Sequence, residues 1–507
     1  MPKFTKEQLE VIAHGKGNIL VSASAGSGKT HTMIERVKRL IIKEGVEINR
    51  ILAVTFTEAA AADMKEKLKS ALMDAAVGKV DYELYGEITE EQKAACERQL
   101  NEIATADIST MHAFCGRLIR NYFFVAGVSP DFKILDEADA KVLRNESVEK
   151  TFKEFYDLGE EWFLTLIDRH SVGRMDTGLK ELKLSAYAFC DSEAAPKELY
   201  DKYKEVYSAQ GFEYVLTEYK KRLDDLILPL VSDAKRALIT FEKEGLKKGA
   251  EFTKALIADI TTVLTAPDLY AVKHLENYKL KLDFERKLTA ESAEQKEVVT
   301  AVREKLKTLL NRFLKCVGES READLEKNAQ CFIHTQNFVK ILERFSKNYA
   351  EEKKEENALD FNDLEHYALR ILSDDGIRDT LREKYQYIFV DEYQDTNGVQ
   401  EEIITRIAND NVFMVGDVKQ SIYGFRGCRS EFFSEKDRVM TERGEKVIRL
   451  NHNFRSATSV LNAVNAVFNY CMIKEVYGED YKGRSELVAG GIYPEEYSGR
   501  ATLHFLR

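Results

Sequence analysis

The sequence predicts an α/β fold: a parallel sheet carrying a phosphate loop, broken by a large all-helical insertion. Three observations lead there. Near the start, an apolar run passes through the Gly-rich turn Ala23-Ser24-Ala25-Gly26-Ser27-Gly28-Lys29-Thr30 into apolar residues at helical spacing. A second apolar run ends in two carboxylates only at Ile388-Phe389-Val390-Asp391-Glu392. Between them, residues from about 131 to 355 show long charged stretches with helical spacing and few turn breakers.

The elements follow in order. Residues 18–22 are a short apolar strand, and Ile34, Val37, Leu40 and Ile41 mark the helix after it. In the turn between, Gly26 and Gly28 can take positive φ, so that backbone N–H groups curl around an anion. The helix N-terminus adds partial positive charge at the same place. Ala23 to Thr30 therefore reads as a phosphate cradle. Lys29 is placed to reach the β- and γ-phosphates, and the Thr30 hydroxyl to bind Mg²⁺.

Residues 51–56 read as a strand, 59–72 as an Ala-rich helix, and 108–110 as a short strand before a helix containing Phe114, Leu118 and Ile119. In the insertion, Leu223, Leu226, Ile227 and Leu230, then Val302, Leu306, Leu309, Leu310 and Phe313, keep a helical period. Its aromatics Tyr200, Tyr203, Tyr207, Phe212, Tyr214 and Tyr219 are expected in the core. The charged tract of residues 351–356 is expected on a solvated helix face. Asp360 and Asp363 are expected to cap a helix. Strands resume at 387–390, 412–415 and 446–450. Asp391, where its strand leaves the sheet, can hold Mg²⁺ through water, and Glu392 can polarise an attacking water. The expected organisation is a first sheet segment over 1–130, the insertion over 131–355, a second sheet segment over 356–450, and a linker opening a further lobe over 451–507.

Bulk properties narrow the class. The 507 residues are 44% apolar and 32% charged, as in a soluble globular chain of two to four domains. No apolar run approaches membrane-spanning length, and Met1-Pro2-Lys3-Phe4 does not open a signal peptide, so a cytoplasmic protein without membrane contact is expected. The seven cysteines never approach Cys-x-x-Cys spacing, which argues against a disulfide framework or a metal knuckle. Net charge is −11, so any nucleic-acid contact must use a local groove rather than the overall field. The split carboxylate and phosphate-loop pair alone implies an ATP or GTP hydrolase.

Further stretches specify which. Phe4-Thr5-Lys6-Glu7-Gln8 puts a glutamine before the phosphate loop, and an amide donates and accepts at once, as reading an adenine edge requires. Val54-Thr55-Phe56-Thr57-Glu58, Ser109-Thr110-Met111-His112-Ala113-Phe114-Cys115, Gly416-Asp417-Val418-Lys419-Gln420-Ser421-Ile422-Tyr423-Gly424-Phe425-Arg426 and Leu450-Asn451-His452-Asn453-Phe454-Arg455-Ser456 follow successive strands. In order and spacing the set resembles the motifs of superfamily 1 helicases of the UvrD/RecB type, over residues 4–125 and 357–457. In detail, Gly416-Asp417-Val418-Lys419-Gln420-Ser421-Ile422-Tyr423, Ala358-Leu359-Asp360-Phe361-Asn362-Asp363-Leu364-Glu365 and Asp131-Phe132-Lys133-Ile134-Leu135-Asp136-Glu137 look most like the AddA family of bacterial helicase–nucleases. Glu58, Asp63 and Gly424 depart from the commoner Asn, Glu and Arg, which touches the DNA-side loops and not the ATP site.

The resemblance implies a RecA-like P-loop NTPase sheet and a 3′-to-5′ DNA translocase acting in double-strand-break repair and recombination. It implies ATP and Mg²⁺ as cofactors. It further implies a heterodimer with an AddB-like partner, and single-stranded DNA and duplex ends as substrates. By the same resemblance Gln8 reads adenine and Phe454 stacks on it. Gln420 senses the γ-phosphate. Arg455 points at that phosphate, where such a charge is worth roughly 10³–10⁵ in rate. Phe56, His112, Tyr423 and Phe425 fall on loops that touch single strands in relatives, where stacking is worth about 1–3 kcal/mol per base and is indifferent to sequence. Each also has a plain packing role open to it. No later superfamily 1 motif and no nuclease carboxylate–lysine cluster follows Arg455, and the stretch from Ala501 to Arg507 reads as a strand just begun. The expectation is an N-terminal portion of a longer helicase–exonuclease, binding ATP weakly by itself. A UvrD-like repair helicase without nuclease and a non-catalytic ATP-binding DNA clamp are the alternatives.

Overall fold

The computed structural model describes residues 4–170, 176–275, 288–424, 427–472, 481–491 and 493. Two compact units divide the chain. One comprises residues 1–148, 185–196 and 347–507, the other residues 149–184 and 197–346.

The first unit is built on a six-stranded sheet in which every pairing is parallel. Its strands are β1 (Ile19–Ala23), β2 (Ile51–Thr55), β3 (Asp107–Thr110), β4 (Tyr387–Val390), β5 (Val412–Gly416) and β6 (Lys446–Leu450), ordered β3-β2-β4-β5-β1-β6. Strands buried on both faces read as largely apolar runs, as the four inner ones do. The period of two sorts their side chains into two cores. Ile19, Val21, Ile51, Ala53, Phe389, Phe413 and Val415 face one side, with Met33, Val37, Met64 and Leu68 from helices Lys29–Glu44 and Glu58–Ala76. Leu20, Leu52, Val54, Ile388, Val390, Val412 and Met414 face the other. There they meet Phe114, Leu364, Ile403 and Ile404 from helices Met111–Asn121, Phe361–Ile371 and Gly398–Ile407. The strands at 18–22, 51–56 and 446–450 were therefore legible to within a residue. A two-residue parallel pair, Lys133–Ile134 with Ala358–Leu359, joins the positions where the predicted insertion leaves and returns.

The second unit is helical in its described residues. Helices Ala209–Lys243, Lys247–Thr265 and Ala290–Phe313 enclose Leu216, Leu223, Ile227, Leu230, Leu256, Ile260, Val302, Leu306 and Leu310. Among the described residues no helix is long and apolar enough to cross a membrane.

Two expectations are corrected. Tyr200 is buried, but Tyr207, just before helix Ala209–Lys243, is exposed, and Tyr214 and Tyr219 are 66% and 45% exposed, because the line Leu216–Leu223–Ile227–Leu230 points inward and they lie off it. The tract at 351–356 is not wholly solvated. Lys353 is buried, its Nζ 3.2 Å from Asp360 and 2.5 Å from Asp363. Asp360 and Asp363 cap helix Phe361–Ile371 reciprocally, as the sequence suggested.

Candidate functional site

All six strands run parallel, so the turns at their carboxyl ends gather along one edge of the sheet, where α/β folds bind ligands. Along that edge β5 lies between β1 and β4, so a single strand separates the phosphate-loop turn from the acidic turn.

The turn after β1 has Gly26 at φ 72° and Gly28 at φ 80°. A Cβ on Gly26 would lie 2.8 Å from both Arg455 Cβ and the Asn453 amide nitrogen, so the cradle also needs glycine for close approach. Asn453 Nδ2 donates to the Ala25 carbonyl (2.6 Å), and the Phe454 N–H donates to the Gly26 carbonyl (2.9 Å). Asn453 Oδ1 accepts from the N–H groups of Arg455 (2.9 Å) and Ser456 (2.8 Å). One asparagine thus fixes the cradle and the turn that carries Arg455. Gln8 is buried, accepts from the Thr5 N–H (2.8 Å) and donates to the Ser27 carbonyl (2.9 Å). That leaves one amide N–H and one lone pair for a ligand. Phe454 is exposed.

At the end of β4, Glu392 sits in the left-handed region at φ 49°, a strained position for a non-glycine residue. Lys29 Nζ donates to both its carboxylate oxygens (3.0 and 2.9 Å). Burial, then the charge of Glu392, push the Asp391 carboxyl up to about 6, against the pull of Lys29 and the Glu392 N–H. Gln394 ties this turn to the next one. Its Nε2 donates to Glu392 (2.9 Å) and Asp395 (3.0 Å), and its Oε1 accepts from the Asp417 N–H (2.9 Å). Asp417 is buried, accepts from Gln420 Nε2 (2.7 Å) and pairs with Lys419 (2.7 Å). Gln420 is therefore joined to Glu392 through Asp417, by its carboxylate and its backbone N–H, and the Gln394 side chain.

Beside this lies a groove of about 480 Å³ lined by Phe56, Glu58, His112, Arg117, Arg120 and Phe361, among others. The half-buried Phe56 ring lies 4.6 Å from Tyr423, and His112 lies 4.9 Å from Phe361. Glu58 accepts from the Thr110 hydroxyl (2.6 Å). His112 Nε2 is 3.1 Å from Glu365 Oε1, a carboxylate only 1% exposed. Phe425 lies outside the described residues.

Residues 4–441 match the UvrD/REP helicase N-terminal domain. The chain belongs to that family. The RecA-like sheet is the fold this family carries. Relatives named as A subunits of the ATP-dependent helicase/nuclease align along nearly all of it. Those of Alkaliphilus oremlandii and Clostridium novyi are 34% identical over 97% and 98% of the chain, and that of Carboxydothermus hydrogenoformans is 33% identical over all of it. The chain spans about 41% of the length of the first two and 43% of the third.

Gln394, Asn453 and Glu365 were not singled out from sequence. Asn453 lies inside the Leu450–Ser456 motif, Glu365 closes the Ala358–Glu365 motif, and Gln394 lies two residues beyond the acidic pair. Glu365 stands among Asn362, Asp363 and His366 on a polar stretch, and nothing local distinguishes a buried carboxylate there.

Proposed function

We propose that this UvrD-family chain holds Mg²⁺–ATP in the split site and couples its hydrolysis to movement along single-stranded DNA. On this reading it is the motor portion of an AddA-type helicase–nuclease working at double-strand breaks, with 3′-to-5′ polarity, an AddB-like partner and an exonuclease in the whole protein. The observation that carries it is the contact between Lys29 and Glu392, which joins residues 363 apart into one site.

The residues suit the ligand. Ser27 Oγ is buried in the cradle with no hydrogen-bond partner, an acceptor or donor left for a phosphate oxygen. Thr30 and Asp391 offer the hard oxygen ligands that Mg²⁺ takes, usually alongside waters and substrate phosphates. Bound metal supplies charge neutralisation at the phosphates. Lys29, released from Glu392 toward the phosphates, frees that carboxylate to orient and deprotonate water. Gln8 and Phe454 hold the base, Gln420 reports on the terminal phosphate, and Arg455 offsets its charge. Phe56, His112 and Tyr423 stack on the strand, and Phe425 belongs with them by its motif.

Fluorescent ATP-analogue binding and strand displacement by the whole protein test this. Lys29→Ala is expected to weaken Mg²⁺-dependent binding at least tenfold. Glu392→Gln is expected to bind normally and lose over 99% of hydrolysis and unwinding. Normal unwinding by both variants would refute the motor and leave a clamp.

A further inference from the structure

Glu365 takes no part in the roles assigned above, yet it is the most completely enclosed carboxylate between the two sites. It lies on helix Phe361–Ile371, inside the core beneath the groove. Three donors from two directions meet it. From the groove comes His112 Nε2 at 3.1 Å. From the segment that follows the acidic turn come Asn397 Nδ2 at 2.9 Å and Gln400 Nε2 at 2.6 Å. Burial works against its charge, but the hydrogen bonds from His112, Gln400 and Asn397 outweigh that and hold the carboxyl below its ordinary range. An ionised carboxylate only accepts, so Nε2 of His112 carries the proton in this contact.

The segment contacted is not remote from chemistry. Asn397 caps helix Gly398–Ile407 and stands five residues after Glu392, across the short turn Tyr393–Asp395. That turn is held to Glu392 by Gln394. A continuous chain therefore runs Glu392–Gln394–Asp395, along the backbone to Asn397, then Glu365 and His112. At Glu365 itself three donors converge, and leaving any one of them unpaired costs about 1–3 kcal/mol, so a displacement of one partner is transmitted to the others.

We propose that Glu365 is a positioning residue that couples occupancy of the groove by a DNA strand to the state of the Glu392 turn. This rests on the function proposed above and names the route by which its two ligands sense each other. A shift of His112 under a stacked base pulls on Glu365, and Glu365 hands the displacement to Asn397 and Gln400. By reciprocity the nucleotide state must bias His112 equally.

The test is a coupling measurement on the whole protein. Binding of a fluorescent oligo-dT strand is followed by anisotropy with and without a non-hydrolysable ATP analogue and Mg²⁺. Analogue binding is followed with and without the strand. Wild type is expected to show a coupling factor of about tenfold, within the usual allosteric range. Glu365→Gln keeps the shape but presents an amide to three donors. It is expected to bring the factor below about twofold while each ligand alone binds within about twofold of wild type. A purely structural role would instead weaken both single affinities. Gln400→Met, on the half-buried side, is expected to reduce the factor several-fold and serves if the first variant does not fold. Adding His112→Ala to Glu365→Gln should lower coupling no further. An unchanged coupling factor in both Glu365→Gln and Gln400→Met overturns the proposal alone. A wild-type whole protein that binds no strand with or without analogue overturns the motor reading, and this inference with it.

Discussion

Asp391 shows how the site's electrostatics are set against its own stability. Its carboxyl titrates at about 6, raised first by burial and then by Glu392. An unfolded aspartate titrates near 3.9. The folded state thus holds this proton more tightly, so the stability it contributes is fully present below about pH 4 and is lost as pH rises through about 6. At neutral pH the ionised Asp391 costs about 1–2 kcal/mol once part of the shift is discounted for solvent screening. Asp391→Asn should recover that amount in denaturant unfolding at pH 7.5, while Mg²⁺-dependent nucleotide binding falls at least tenfold. In wild type that binding should weaken steadily below pH 6, where proton and metal compete for one carboxylate. Binding that stays flat from pH 7.5 to 5 would show that Asp391 does not hold the metal.

At the scale of elements, the phosphate-loop turn depends on glycine for two separable reasons. Gly26 needs both its positive φ and its missing side chain, since a Cβ would strike Arg455 and Asn453. Gly45, which ends helix Lys29–Glu44 at φ 68°, has nothing within 4 Å of a built Cβ and needs only the dihedral. Gly45→Ala is therefore expected to cost about 1 kcal/mol in stability with nucleotide binding intact. Gly26→Ala should lose nucleotide binding more than tenfold in the same titration. Equal effects of the two would mean that the Arg455 turn does not pack on the cradle. The contrast also marks what the sequence discloses. Gly26 and Lys29 announced themselves because a phosphate cradle is local, a turn between one strand and one helix. Asn453 did not, because its partner Ala25 is 428 residues away. Lys353 read as solvated for a different reason: Asp360 is only seven residues on, but nothing in the charged tract shows the chain turning back to bring it and Asp363 onto the lysine.

For the whole molecule, the same distinction separates strand content from strand order. The four inner strands were legible because each is buried on both faces and reads as an apolar run, while the edge strands β3 and β6 showed only short apolar stretches broken by Asp107, Ser109, Lys446 and Arg449. The order of the six was not legible, since β1 lies between β5 and β6, strands about 400 residues later that pair Ile19 with Phe413 and Lys446, and no local signal states that neighbourhood. The insertion is different in kind. Among the described residues, two buried cores lie wholly in the unit that carries the sheet, and a third lies wholly between Leu216 and Val317. Every buried apolar residue of that third core is supplied by a continuous stretch, and Arg321 bonds Glu213 (2.8 Å) and Asp268 (2.6 Å) to close it. A domain with its own core folds by itself. Residues 208–324 expressed alone should therefore be helical by circular dichroism and melt in one cooperative transition. Arg321→Ala should lower the midpoint without abolishing the transition, because a half-exposed ion pair is worth about 1 kcal/mol or less against a core of some twenty side chains. A gradual, non-cooperative melt of the fragment would show instead that its helices depend on contacts from the rest of the chain.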